Sequence, residues 1–302
     1  MKVAVIGAGA VGMLVAAYLK KEALDVTILT RGEKLSRELT EKGVTLTVGD
    51  ISSTVEMKAE KFVAKDIHTY DLIFLAVKQY HLPELMSELN VLEESKLPAF
   101  VFLQNGMGHL TLLKEFKGLT SYIGIVEHGV LKRSPYEVVH TGIGQIKFGV
   151  YSGQVDVLEK LTALIHNVNF KMEIASEWLD IMTRKLVVNA CINPLTALFR
   201  VENGKLRENP YFLKLMRYLF DEATETLEYM EKDLLWEEVL RICLATGKNR
   251  SSMLRDIESY NPTEIEAISG YVLANRKIDL PYTTFVYESI KGIEREGEGV
   301  CE

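Results

Sequence analysis

The chain has 302 residues, 47% of them hydrophobic and 25% charged, with a formal net charge of −7 at pH 7. That length accommodates two domains with substantial cores, and the composition is that of an ordinary globular protein. An acidic balance, with lysines and arginines spread along the chain, excludes the usual signatures of nucleic-acid and membrane-surface binding, so an intracellular, cytoplasmic protein is expected. The three cysteines, Cys191, Cys243 and Cys301, include no close pair, and the six histidines show no ligand spacing. Neither a disulfide framework nor a metal site is therefore expected, and Cys191 reads as a small buried apolar residue.

Lys2 to Ile6 is a short apolar run rich in β-branched residues, as a strand buried on both faces should be. Gly7, Ala8, Gly9, Ala10, Val11 and Gly12 follow at once as G-x-G-x-x-G, and Met13 to Lys21 reads as a helix. The uncharged stretch from Val3 to Leu19 imitates a signal or membrane segment. It is short and glycine-broken, so strand, turn and helix explain it better, and no targeting segment is expected. In a dinucleotide site Gly7 would make the tight turn, Gly9 would let a pyrophosphate approach, and Gly12 would let helix and strand pack closely. A purely structural glycine turn is the competing explanation.

The next strand, Asp25 to Thr30, ends in Arg31. An NAD site usually carries an acid in this region for the ribose hydroxyls, and here a cation follows instead. Arg31 can pair with a 2′-phosphate, which favours NADP(H) over NAD; the alternative is a solvated loop arginine. From Gly43 to Val63 an alternating polar pattern predicts small strands inserted between the main ones. Asp71 to Val77 and Ala99 to Leu103 resume the buried sheet. Ligands in such sheets lie beyond the carboxyl ends of the strands, which singles out Lys78 and Asn105. Ordinary turn chemistry at Asn105-Gly106 remains open beside that reading. Ser121 to Glu127, Glu137 to His140 and Gly144 to Val150 read as antiparallel additions at the sheet edge, followed by a helix over 155–167 and a last strand from Phe170 to Ile174. The junction near Ala175 divides the chain into an α/β dinucleotide-binding domain, 1–174, and an all-α domain, 175–302.

In the second half, apolar spacing predicts helices at 176–198, 210–231, 235–247, 251–259, 263–276 and 283–294, with a frayed tail from Glu294 to Glu302. Pro194 should kink the first of these, and Asn203-Gly204 should close it with a turn. Lys185, Asn189 and Asn193 stand four apart and form one polar row on an apolar helix. The row is either a snorkelling lysine with two backbone-capping amides or a site. Ser251-Ser252 can cap a helix, and Asn261-Pro262-Thr263-Glu264 can be a capping box, so Glu264 is open between capping and catalysis. Reducing a carbonyl needs a group to stabilise and protonate the developing alkoxide. The last histidine, His166, precedes the helical half, so Lys185 is the best candidate there.

At these residues the chain resembles the ketopantoate reductase (2-dehydropantoate 2-reductase) family, essentially end to end. The more specific segments run from Arg184 to Thr196, through Asn203-Gly204, from Asn249 to Asp256, and from Thr263 to Ile265. The resemblance implies a Rossmann-like domain followed by a helical domain of the 6-phosphogluconate dehydrogenase type, and NADPH-dependent reduction of 2-dehydropantoate to (R)-pantoate on the route to pantothenate and coenzyme A. It places the family's catalytic lysine on Lys185 and its active-site glutamate on Glu264. It places the carboxylate-binding serine on Ser252, and substrate-contacting amides on Asn189, Asn193 and Asn249. Asn105 falls near both nicotinamide and substrate, Lys78 and Arg31 on cofactor contacts, and Asn203 on a further family asparagine. Arg200-Val201-Glu202 is more charged than some members show. A reductase of another branched 2-keto acid, or an NADPH-sensing protein without chemistry, would be the alternatives; the latter has no need of Lys185, Ser252 and Glu264 together. A small 2-keto acid is the expected partner, and a homodimer is left open.

Overall fold

In β1 (Lys2–Ile6) every residue from Val3 onward is buried, as a strand covered on both faces requires. It leads through the glycine turn into α1 (Ala10–Lys21), β2 (Asp25–Thr30) and α2 (Glu33–Lys42). Then come β3 (Val44–Val48), β4 (Ile51–Val55), β5 (Lys58–Lys61), β6 (Leu72–Leu75), α3 (Leu82–Leu89), β7 (Ala99–Phe102) and α4 (His109–Leu113). The sheet region closes with β8 (Ser121–Val126), β9 (Gly129–Ser134), β10 (Glu137–Gly142), β11 (Gln145–Ser152), α5 (Asp156–Leu164) and β12 (Lys171–Ile174). This computed structural model describes residues 1–89, 97–115 and 118–298. Its chain divides into two units, Met1–Gln104 with Leu112–Leu179, and Asn105–Thr111 with Asp180–Glu302.

The first unit is a Rossmann-like α/β unit. Its main sheet runs β12-β11-β8-β7-β6-β1-β2-β5. β1 pairs in parallel with β2 on one side and β6 on the other. The winding therefore reverses at β1, and the carboxyl ends of β1 and β6 form the switch point at which sheets of this kind take their ligands. β6, β7 and β8 continue in parallel and are buried along their length. Two expectations are corrected. The strand from Ser121 is parallel to β7, not an antiparallel addition; the sheet reverses one strand later, where β11 runs antiparallel to β8 and β12 follows parallel to β11. The strand from Glu137 leaves the main sheet altogether.

That strand, β10, joins a second sheet of order β4-β3-β10-β9. β3 and β4 belong to it as well, while β5 extends the main sheet beside β2. Period-two patterning tells which face of a strand is buried but not which sheet receives it. The small sheet packs on α1, and α1 is consequently buried at every position from Gly12 to Leu19. A helix enclosed on both sides needs no polar face, which explains the uncharged run that imitates a membrane segment. Among the described residues no helix is long and apolar enough to cross a membrane.

The second unit is helical: α6 (Trp178–Phe199) enters it, followed by α7 (Asn203–Glu208), α8 (Pro210–Thr226), α9 (Lys232–Ala245), α10 (Ser252–Glu258), α11 (Tyr271–Ala274) and α12 (Pro281–Glu298). α6 continues as one helix through Pro194. Asn203-Gly204 opens a short helix instead of a closing turn, because its two amides donate to the carbonyls of Asn249 and Gly247 at 2.9 and 3.0 Å. The helix expected over 263–276 starts later and contains a π-helical turn, Glu266–Gly270. The last helix reaches Glu298, beyond the expected end at 294; residues 299–302 lie outside the described ones. Glu222 of α8 is buried because it caps α12, accepting from the amides of Tyr282 and Thr283 and from the Thr283 hydroxyl. Cys191 is fully buried, and burial pushes its thiol well up.

Candidate functional site

Each glycine of the first turn has a separate physical reason. Gly7 sits at φ +108°, and a Cβ there would lie 3.0 Å from the Ala76–Val77 backbone at the end of β6. Gly12 has no room for a side chain unless the turn shifts, since its Cβ would fall 1.9 Å from the Gly7 carbonyl oxygen. Gly9 is different. Its backbone is extended, at φ −78°, and an added Cβ would meet only Ala76 O, 3.8 Å away. The fold tolerates a side chain at Gly9, so glycine there keeps open a space that the protein does not fill. That space adjoins the start of α1, where no side chain caps the first-turn amides. Free N–H groups and the positive end of a helix dipole together make an anion cradle. Ala8, Ala10 and Val11 present only small or aliphatic side chains around it. The cradle fits the pyrophosphate of a dinucleotide.

Arg31 follows β2 at its carboxyl end and is exposed, 71% at the side chain, where it pairs with Glu84 at 3.1 Å. It also donates to Nδ1 of His81 at 3.2 Å, since a guanidinium can only donate. Burial, followed by the Arg31 charge, pulls the His81 pKa below its usual range. Lys78 is half-buried at the start of the turn Gln79–His81, just beyond β6. Two residues outside the sequence expectations shape this end of the sheet. Gln104 is buried, and its amide donates to Leu75 O at 2.8 Å and Val77 O at 2.9 Å, tying the ends of β6 and β7. Lys132, on β9, donates to Ala8 O at 2.8 Å. The only sequence signal for Lys132 is a cation in a half-buried strand that periodicity does not resolve.

In the second unit, Lys185, Asn189 and Asn193 share one face of α6. Lys185 and Asn189 are half-buried, Asn193 is buried, and Leu186, Val187, Val188, Ala190, Cys191 and Ile192 between them are buried. One turn beyond Asn193, the buried Thr196 hydroxyl donates to Ser251 Oγ at 2.8 Å. Ser251 also caps α10, accepting from Leu254 N at 3.0 Å. The adjacent serines are thereby separated by role: Ser251 is buried and occupied, whereas Ser252 is exposed. Asn249 is exposed on the preceding turn, its carbonyl held by Asn203 N at 2.9 Å. The Asn203 side chain donates to Thr246 Oγ1 at 2.9 Å, so this asparagine fastens the 246–249 turn.

Glu264 is 6% exposed and precedes the π-helical turn. Thr263, not Asn261, performs the local capping, accepting from Ile265 N at 3.1 Å. The Glu264 carboxylate accepts from the Asn105 amide at 3.1 Å. Next to it, Met107 N donates to Ala267 O at 3.2 Å, and a Cβ on Gly106 would lie 2.1 Å from that oxygen. Gly106, at φ +75°, is thus the residue that lets the 105–107 loop close on the π-helical turn. Such turns free a carbonyl from the helical ladder and often mark functional positions. The segment Asn105–Thr111 consequently belongs to the second unit, although it follows a strand of the first.

The family model described as ketopantoate reductase PanE/ApbA matches residues 3–153, and the one described as its C-terminal counterpart matches residues 177–294. The 2-dehydropantoate 2-reductase of Bacillus subtilis is 38% identical over 300 residues, covering 98% of both chains. The crystal structure of the probable 2-dehydropantoate 2-reductase from Bacillus subtilis has a TM-score of 0.85 at 37% identity, over 97% of this chain and 100% of that one. D-mandelate dehydrogenase, in its ternary structure with NADH and anilino(oxo)acetate, has a TM-score of 0.86 over 99% of this chain and 100% of its own. Its identity is 19%, a likeness of fold.

Proposed function

The chain belongs to the ketopantoate reductase family, and on that premise we propose that it reduces 2-dehydropantoate to (R)-pantoate with NADPH, on the route to pantothenate and coenzyme A. The observation that carries this reading is the end-to-end relation to the Bacillus subtilis enzyme at 38% identity. A cytoplasmic setting is part of the same proposal. The glycine turn would hold the dinucleotide, whose chemistry there would be to supply a hydride for carbon 2 of the keto acid. The rest falls to side chains of the second unit. The Lys185 ammonium donates to the ketone oxygen, offsets the negative charge that grows there and passes on its proton, so that C–H and O–H bonds replace the C=O π bond. Lys185 is left neutral and regains a proton from solvent. Asn189 and Asn193, on the same helix face, hold the substrate beside it. Glu264, held by Asn105, accepts from the substrate hydroxyl, and Ser252 with Asn249 receives its carboxylate.

Arg31 and Lys78 are assigned to the cofactor, with Arg31 on the 2′-phosphate. Glu84 already occupies Arg31, so the phosphate would have to replace or share that partner. The test is oxidation of NADPH on adding 2-dehydropantoate, with NADH as the comparison. Arg31→Ala should raise the KM for NADPH about tenfold and leave that for NADH unchanged, in line with the loss of one charge-assisted contact. An unaltered preference removes the 2′-phosphate assignment. A second reading, reduction of a different 2-keto acid, draws on the D-mandelate dehydrogenase fold and its bound oxo acid. Comparing kcat/KM for 2-dehydropantoate and other branched 2-keto acids decides between them.

A further inference from the structure

In a trans peptide, the carbonyl and the following N–H lie in one rigid plane and point in opposite directions. Fixing the oxygen therefore fixes where the hydrogen points. The Ala8–Gly9 peptide, at the centre of the glycine turn, is fixed in this way: Lys132 Nζ donates to Ala8 O at 2.8 Å across 124 positions of sequence. Gly9 N–H is then turned to the side away from Lys132. Gly9 is also the position where the fold leaves an unfilled space, and it immediately precedes the uncapped first turn of α1.

The ammonium is unusual in its surroundings. Lys132 is an exposed residue of β9 whose ammonium nonetheless reaches the part-buried Ala8 carbonyl, and among the described residues no carboxylate pairs with it. Its pKa is lowered by burial, with no charged neighbour contributing. A cation whose only partner is a neutral carbonyl still has its charge and two N–H groups to offer an anion. β9 is short of other reasons to reach this place, being mostly half-buried or exposed on the small sheet.

We propose that Lys132 is a positioning residue for the dinucleotide pyrophosphate: it orients the Ala8–Gly9 peptide so that Gly9 N–H donates to the anion, and it adds a positive charge beside the turn. The small sheet thus delivers a side chain to a loop that otherwise works through its main chain. The proposal rests on the dinucleotide reading, but not on the choice between NADPH and NADH, because both carry the same pyrophosphate.

The test is the dissociation constant of each dinucleotide, measured by fluorescence titration without keto acid, for wild type, K132M, K132Q and K132R. K132M should weaken NADPH and NADH by the same factor, about tenfold or more, as loss of a charge-assisted contact implies. K132R should restore most of the affinity. K132Q keeps a donor for Ala8 O without the charge and should fall between, with a shallower salt dependence than wild type. With cofactor saturating, kcat in K132M should stay within about twofold of wild type while KM for the cofactor rises, since binding energy shared by ground and transition states acts on KM. Wild-type affinity in K132M for both dinucleotides overturns the proposal, as does a K132M that melts early yet binds normally once folded. If K132M does not fold, equal affinities in K132Q, K132R and wild type overturn it. Tighter binding of NADH than NADPH to wild type removes the Arg31 assignment and leaves this one standing, whereas no binding of either removes the dinucleotide reading and this proposal with it.

Discussion

The two halves of the candidate machinery use different parts of the polypeptide. In the first unit the proposed recognition by the glycine turn is through its main chain: amides are left uncapped where side chains are left out, and the residues that matter are those with nothing beyond Cα. In the second unit the main chain is consumed by helices, and the proposed recognition falls to the side chains of Lys185, Asn189, Asn193, Ser252 and Glu264. A main-chain site is sensitive to added volume, a side-chain site to removed atoms. This difference sets what each substitution should do.

The largest effect should come from Lys185→Ala. Loss of the proposed general acid should lower kcat about a thousandfold, within the range for such groups, while the NADPH dissociation constant stays within a factor of two. Steady-state kinetics and a binding titration check both halves of that statement, and unchanged turnover removes the lysine from its role. Next come the glycines. Gly12→Ala should destabilise the protein by about 1–3 kcal/mol through overpacking against Gly7 O, read as a lower melting temperature. Gly9→Ala should leave the melting temperature of the free protein near wild type and weaken dinucleotide binding instead. If both glycines behaved alike, the separation of a fold-required glycine from a ligand-required one would collapse.

The serine pair sharpens the same contrast inside the second unit. Ser251→Ala removes the α10 cap and the acceptor for Thr196, and should cost about 1–2 kcal/mol. Ser252→Ala should raise the KM for the keto acid without lowering the melting temperature. The smallest effect near neutrality is a pH dependence. Burial pulls His109 down to about 3, and burial followed by His140 pulls His128 down to about 4. Both are neutral when folded, while the unfolded chain takes up protons near 6.5. Their stabilisation is therefore complete above about pH 6.5 and lost progressively as pH falls toward 4 and then 3. At pH 6 each should cost under about 1 kcal/mol, so melting temperatures should be flat from pH 8 to 7 and fall increasingly below 6.

Local rules made much of this legible. β1, the glycine turn and α1 are encoded by adjacent residues, so a buried strand and three glycines are enough to read them. The row from Lys185 to Asn193 is visible because helical periodicity is local, but its use is not, since a polar row on an apolar helix has two physical explanations; only the family resemblance separates them. What sequence patterns miss is pairing over distance. The small sheet joins residues near 45 to residues near 138, and nothing in either segment specifies the partner. The same holds for Lys132 and Ala8, and for the closure of Gly106 on Ala267. The division of labour between Ser251 and Ser252 was also hidden, because either hydroxyl satisfies the capping pattern and only the Thr196 contact chooses.

The loop that carries Asn105 also imposes an order on synthesis. It leaves the ribosome together with the strands of the first unit, yet its partner Glu264 lies 159 positions later. At about 5–20 residues per second, Asn105 is made roughly 8–32 s before that carboxylate exists. Until then Asn105 has no Glu264 to hold, and Met107 no Ala267 carbonyl to meet. Any truncated chain that stops short of residue 264 therefore carries the loop without the contacts that define it, however well its strands have formed.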